Sequence, residues 1–256
     1  MEAETPPQPV IPAATLILFR SRDGQPPELL MVERSGGMTF AAGAMVFPGG
    51  RVDPDDRALA ARFPAIDPDD AAARIAAIRE TIEESGLGIG LSPVPDALVL
   101  AELRAALASG ATPFSALIDA HDLSLDLDLL TPFARWWPNH REFRVFDTRF
   151  YVAAADGAPE PMVDDTENVH ALWTSASDVL VAADAGKARI IFPTKCNLQR
   201  LATFASHADA VADTIAHPVE IVSPWIEDRD GAPHLCIPDN IGYPITGHLL
   251  ATAERA

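Results

Sequence analysis

Cysteine is scarce in this chain. Cys196 and Cys236 are the only two. They are too few for a disulfide framework and lack metal-ligand spacing, so both are expected as free thiols. Basic residues are outnumbered. Nineteen Lys and Arg stand against 37 Asp and Glu, for a formal net charge of -18. No basic stripe is visible, which argues against a nucleic-acid partner. Long apolar runs are missing as well. None approaches the roughly 18–20 residues of a membrane span, so no membrane partner is expected. The segment Met1 to Pro12 is acidic and proline-rich. It lacks the basic and apolar regions of a secretory signal and reads as a disordered tail, with a cytoplasmic location as the default expectation.

What is present is core material. The 256 residues are 48% hydrophobic and 22% charged, the composition of a globular chain with one large domain and additions. The acidity serves solubility. It does not exclude a phosphorylated small molecule, because a bound divalent cation inverts the local field at a carboxylate site.

Periodicity and breakers divide the chain. Ala13 to Arg20 and Glu28 to Arg34 read as strands forming a hairpin across Asp23-Gly24. A third short strand, Ala44 to Phe47, is expected to stop at Pro48-Gly49-Gly50. Asp53 to Asp70 reads as an insertion with a short helix near Arg57–Arg62. A helix then starts with Asp67 as cap and Pro68 in its first turn, buries Ile75, Ile78 and Ile82, and stops at Gly86. Two helices are expected over Asp96–Ser109 and Pro113–His121, and strands over Leu129–Trp137, Arg144–Ala154 and Val169–Trp173. A helix from Ser175 to Asp184 follows, then a single one from Pro193 to Ala212. A hairpin closes the chain, Val219–Ile226 with His234–Ile237 around Asp230-Gly231. Strands alternating with helices suit an α/β sandwich (α+β in its segregated parts) with a mixed β-sheet.

The chemistry concentrates in one interrupted stretch. Phe47-Pro48-Gly49-Gly50-Arg51 is a strand end meeting glycines. Arg79-Glu80-Thr81-Ile82-Glu83-Glu84-Ser85-Gly86-Leu87 ends the following helix. Glu80, Glu83 and Glu84 share one helix face, since positions i, i+3 and i+4 are neighbours. Clustered carboxylates beside a glycine loop suit a divalent metal and a phosphate ester. Arg79, four residues before Glu83, is placed to hold that carboxylate in an ion pair.

This stretch resembles the signature of the Nudix hydrolases. Gly50 stands at the leading glycine, and Arg79, Glu80, Glu83, Glu84, Gly86 and Leu87 match the second half in register. Thr81 occupies an apolar position of the signature. The sixth residue after Gly50 is Asp56, an acid but not Glu, and 22 residues separate it from Arg79, far more than the family has. Either Asp56 or Asp70 takes the place of the missing glutamate. An interruption at this point is similar to the insertion-bearing coenzyme A diphosphatase subgroup. Gly43 to Gly50, Leu130 to Phe133, Arg144 to Phe150, Glu167 before Trp173, and Phe192 to Ala205 also resemble that subgroup.

The resemblance implies a Nudix-type α/β/α sandwich over residues 13–210. Residues 57–70 are inserted within the signature, 95–128 form a helical insertion, and 211–256 are a C-terminal extension packed on the domain. It implies a hydrolase of nucleoside diphosphate derivatives with Mg²⁺ or Mn²⁺ as cofactor. Gly50, Glu80, Glu83 and Glu84 would hold the metal. Arg79 would position them, and Glu83 or Glu167 would be the general base. For the small-molecule nucleotide substrate the candidates are Arg34, Phe47, Arg51, Trp136 and Arg144. Coenzyme A or acyl-CoA leads as substrate, with NADH or ADP-ribose next. Thr39 stands where the coenzyme A branch carries a second arginine. A nucleotide-binding protein without turnover is the alternative class, and a homodimer is left open.

Overall fold

The computed structural model describes residues 10–34, 43–137, 145–162 and 168–253. Two long strands come first, β1 (Ile11–Arg20) and β2 (Glu28–Arg34). Both are buried almost without interruption, as strands covered on both faces must be. Two short strands, β3 (Met45–Val46) and β4 (Gly49–Arg51), lead to helices α1 (Pro54–Ala60) and α2 (Pro68–Ser85). Then come β5 (Leu91–Ser92), α3 (Ala97–Ser109), α4 (Phe114–Ala120) and β6 (Ser124–Leu125). After a 3-10 turn at Leu127–Leu129 follow β7 (Thr131–Trp136), β8 (Phe146–Ala154) and β9 (Asn168–Ser175). Helices α5 (Ala176–Asp184), α6 (Phe192–Leu201) and α7 (His207–Ala216) come next. The chain finishes with β10 (Ile221–Val222), β11 (Trp225–Arg229), β12 (Ala232–Cys236), β13 (Gly247–Leu249) and α8 (Leu250–Ala253).

Eight strands form one mixed sheet, ordered β10-β7-β8-β1-β2-β3, with β4 also on β1 and β9 also on β2. β1 runs parallel to β8 and antiparallel to β2. Alternation along β1 assigns the two faces. Ala14, Leu16 and Leu18 pack against Ile75, Ile78 and Ile82 of α2. Ile17 and Phe19 join the core that holds Leu198 and Leu201 of α6. The expected α/β/α sandwich is therefore present, with β1 at its centre. Among the described residues no helix is long and apolar enough to cross a membrane.

Several expectations need correction. The strand before the glycines, β3, ends at Val46 as expected, but the glycines are not a turn: they begin a new strand, β4, which pairs antiparallel with Ala13–Thr15. A Cβ on Gly49 would strike the Ala14 carbonyl and the Thr15 Cα, so the glycine permits close strand approach instead of turning the chain. The single helix over Pro193–Ala212 is two, α6 and α7. Ser206 caps α7 by accepting from the Asp209 amide at 3.2 Å, and Asp209 accepts from the Ala205 amide at 3.1 Å. The C-terminal hairpin begins at Trp225. Ile221 and Val222 lie parallel to β7 in the main sheet, and Tyr243 is part of the core. The tail from Met1 to Pro9, Thr39, Glu167 and Arg144 lie outside the described residues.

Candidate active site

The site is built at the C-terminal end of α2. Asp67 caps that helix by accepting from the Asp70 amide at 3.0 Å, and Pro68 fits the first turn. Gly86 closes it in the left-handed region, at φ 72°, with its amide on the Ile82 carbonyl at 2.8 Å. A long stripe of Ile and Ala is buried against the sheet. That packing fixes the rotation of the helix and turns Arg79, Glu80, Glu83 and Glu84 toward β4. Thr81, in the apolar position of the signature, is fully buried. Its hydroxyl donates to the Ala77 carbonyl at 2.7 Å, so the polar group is satisfied within the helix.

Asp56 is the acid that serves this site. It sits in the first turn of α1, is fully buried, and accepts from the Asp53 amide at 2.8 Å. Arg79 donates to it twice, Nε to Oδ1 at 3.0 Å and Nη2 to Oδ2 at 2.9 Å. Asp70, the other acid considered, is about 14 Å back along α2. It bonds Arg74 at 2.8 Å and the Tyr151 hydroxyl at 2.7 Å. Arg79 also reaches the Glu80 carboxylate at 2.9 Å and the Arg51 carbonyl at 2.8 Å. Its contact with Glu83 is long, at 3.7 Å. The expected Arg79–Glu83 pair is thus secondary. The guanidinium fork matches a carboxylate edge-on, and burial of Asp56 shields the pair from solvent.

Electrostatics follow from that packing. Burial by itself would lower the Arg79 pKa. The hydrogen bond to Asp56 and the charges of Glu80, Asp56 and Asp53 outweigh it, so the net shift is upward and the guanidinium stays charged. Burial raises Asp56 while Arg79 pulls it back. Glu80 is pushed up to about 7, first by burial and then by Glu83, against the opposing pull of Arg79.

Glu84 is buried and accepts the Gly49 amide at 3.0 Å, tying α2 to the glycine strand. A Cβ on Gly50 would overlap the Glu80 carboxylate. The glycine therefore leaves room for that side chain beside the β4 backbone. Glu80, Glu83 and Glu84 line one wall together with Gly50, and three carboxylates are donor chemistry suited to Mg²⁺ or Mn²⁺. Among the described residues no three His, Cys, Asp or Glu side chains already converge as a ligand cluster. Glu80 is bonded to Arg79, and Glu84 to Gly49.

This wall faces a cavity of about 930 Å³. Arg34, Phe47 and Arg51 line it, as do Gly50, Glu80, Glu83 and Glu84. Trp136 also reaches it, but from within the core. It is 1% exposed, donates from its indole nitrogen to the Tyr243 hydroxyl at 3.0 Å, and meets Phe192 and Tyr243 edge to face. No ring face is left for a base to stack on, which corrects the stacking role expected of it.

Part of the wall escaped the sequence reading. The α3–α4 turn, Ser109 to Pro113, closes one side. It is held there because Ser115 of α4 donates its amide and hydroxyl to Asp55 of α1, at 2.8 and 2.6 Å. Nothing local marks that tertiary contact. Phe146, Thr148 and Phe150 of β8 also line the cavity. Their period-two spacing was a visible signal.

A family model described as the NUDT19 Nudix domain matches residues 60–201. The human acyl-coenzyme A diphosphatase NUDT19 is 25% identical over 271 residues, covering 83% of this chain and 72% of its own length. The crystal structure of a Nudix hydrolase from Alicyclobacillus acidocaldarius is 30% identical with a TM-score of 0.71. The match covers 80% of this chain and 96% of that one. Sequence register, fold and the Arg79-centred site agree, and the chain belongs to the Nudix hydrolases, in the family of the NUDT19 Nudix domain.

Proposed function

We propose that this hydrolase cleaves the diphosphate bond of coenzyme A or an acyl-CoA, releasing 3',5'-ADP and (acyl-)4'-phosphopantetheine, with Mg²⁺ or Mn²⁺ as cofactor. The observation that carries the reading is the Asp56–Arg79 clamp, which presents Glu80, Glu83 and Glu84 together on the wall of a large cavity. The name of the human relative supports the choice of substrate.

In this reading Glu80, Glu83, Glu84 and the Gly50 carbonyl would hold the cation, which would supply charge neutralisation for the diphosphate and lower the pKa of a bound water. Glu83 takes the proton of the attacking water. Its side chain is the most exposed of the three glutamates that line the cavity, at 23%. Arg79 holds Glu80 in position and keeps its charge throughout. Phe47 and Arg51 border the entry to the glycine strand, where the diphosphate lies.

The test is incubation with Mg²⁺ or Mn²⁺ and a panel of CoA, acyl-CoA, NADH, ADP-ribose and nucleotide sugars, with products identified. Release of 3',5'-ADP from CoA supports the assignment. Cleavage of another panel member alone moves the substrate, and no cleavage of any diphosphate sinks the reading. Glu83→Gln should keep the fold and lose about a hundredfold or more in turnover. A pure nucleotide binder would have no metal-dependent turnover to lose.

A further inference from the structure

Helix α2 ends in acids and carries no basic residue in its last turn. The negative end of its dipole therefore lies beside Glu83 and Glu84, and a cation there has to come from another element. The carbonyls of that turn also need partners beyond the helix. The Ile82 carbonyl takes the Gly86 amide at 2.8 Å, and the Ser85 carbonyl takes the Met162 amide at 2.9 Å. The Glu83 carbonyl would take the Leu87 amide if the helix ran on. That amide turns to the Ser85 hydroxyl instead, at 3.4 Å. Arg104 of α3 replaces it, donating from Nε to the Glu83 carbonyl at 3.0 Å.

The packing at this helix end accommodates that reach. A Cβ on Gly86 would stand 2.7 Å from the Met162 methyl and 3.7 Å from Arg104 Cδ, so the glycine leaves the turn open to both side chains. Leu100, one turn before Arg104, lies over Gly88, where a Cβ would come within 2.6 Å of its Cδ2. Arg104 Nη2 is buried as well, so the charge is held largely out of water and salt screens it little. Arg104 is not among the residues lining the cavity, whereas Glu83 is. Arg79 bonds the Glu80 carboxylate at 2.9 Å but stands 3.7 Å from that of Glu83.

We propose that Arg104 is a positioning residue for the reaction. It fixes the last turn of α2 from the backbone side and so sets the direction in which Glu83 enters the cavity. Its part in turnover rests on the hydrolase reading above. The glutamate wall is then held from two sides, by Arg79 at Glu80 and by Arg104 at Glu83.

The experiment compares Arg104→Met, which keeps an unbranched stem but removes charge and donor, with Arg104→Lys, which keeps both. Steady-state kinetics use Mg²⁺ and the diphosphate that the wild type cleaves fastest, and hydrogen-exchange mass spectrometry follows peptides along α2. Arg104→Met should lose about tenfold in kcat with KM within about twofold, as for a displaced reacting group. Arg104→Lys should recover kcat to within about threefold of wild type, since a single carbonyl needs no guanidinium fork. Exchange over residues 83–87 should rise about tenfold in Arg104→Met and stay unchanged over residues 69–78. Unchanged kcat in Arg104→Met overturns the proposal, as does a rise in KM alone. Equal losses in the two variants overturn it too, because charge and donor then do not matter. Faster exchange along the whole of α2 makes Arg104 a general structural residue and also overturns it. If the wild type cleaves no diphosphate, the hydrolase reading fails, and the exchange result alone decides whether Arg104 holds the turn.

Discussion

Arg79 and Asp56 are 23 residues apart in sequence, on separate helices, and share two hydrogen bonds at 2.9 and 3.0 Å with Asp56 fully buried. This pair closes the interruption in the signature. It brings the acid to the arginine by folding a short extra helix back onto α2.

Breaking the pair from one side should be costly. Asp56→Asn removes the buried carboxylate that takes two of the Arg79 hydrogen bonds and leaves Glu80 as the remaining close counter-ion, and we expect a loss of about 3 kcal/mol in urea denaturation. A single-variant loss within about 1 kcal/mol would show the pair to be solvated, as surface pairs are.

The two adjacent glycines should fail differently. In Gly49→Ala the new methyl meets backbone atoms of β1, which cannot swing aside, and stability should fall by about 1–3 kcal/mol. In Gly50→Ala it meets the carboxylate end of the flexible Glu80 side chain. The fold should survive with little loss, while kcat falls by about a hundredfold because the ligand wall is displaced. Paired melting and turnover measurements separate the two outcomes. Equal effects on both quantities in both variants would contradict the assignment.

Thr81→Val should be nearly silent. Among the described residues the hydroxyl bonds the Ala77 carbonyl of its own helix, a back-bond that stabilises little. We expect a change within about 0.5 kcal/mol and unchanged turnover. A large loss would mean that the hydroxyl has a partner beyond the helix.

Acid should destabilise the protein partly through two histidines. His207 packs edge-on against Phe19, its Nε2 is buried without a partner among the described residues, and burial lowers its pKa. His248 is lowered by burial, then by the charges of Lys195 and His234. Both start from an ordinary value of about 6.5 in the unfolded chain. As pH falls through that value the unfolded state takes up protons first, so stability is lost below it and is unaffected well above it. Melting temperatures at pH 7.5 and 5.5 should therefore drop less in His207→Gln than in wild type. An equal drop would show that His207 titrates alike in both states.

The legible parts of this protein were those decided within one helix or strand. Asp67, Pro68 and Gly86 mark the ends of α2, and the spacing of Glu80, Glu83 and Glu84 alone puts them on a common face. The unreadable parts depend on partners far along the chain. Gly49 reads as a breaker until β1 is seen a backbone's width away. The choice between Asp56 and Asp70 turns on which one Arg79 can reach in space. Trp136 looked available for stacking because nothing nearby in sequence reveals Tyr243, 107 residues on. The division between α6 and α7 was readable in principle, since Ser206 and Asp209 form a capping pair, but an apolar stripe running through Leu198, Leu201 and Phe204 masked it.

Neighbouring acids in the first turn of α1 point to different elements. Asp56 holds Arg79 of the glutamate helix, and Asp55 holds Ser115 at the start of α4. α1 is therefore a mechanical link between the reacting wall of the cavity and the turn that bounds its far side. Anything that displaces the α3–α4 turn strains the same short helix that aligns Arg79.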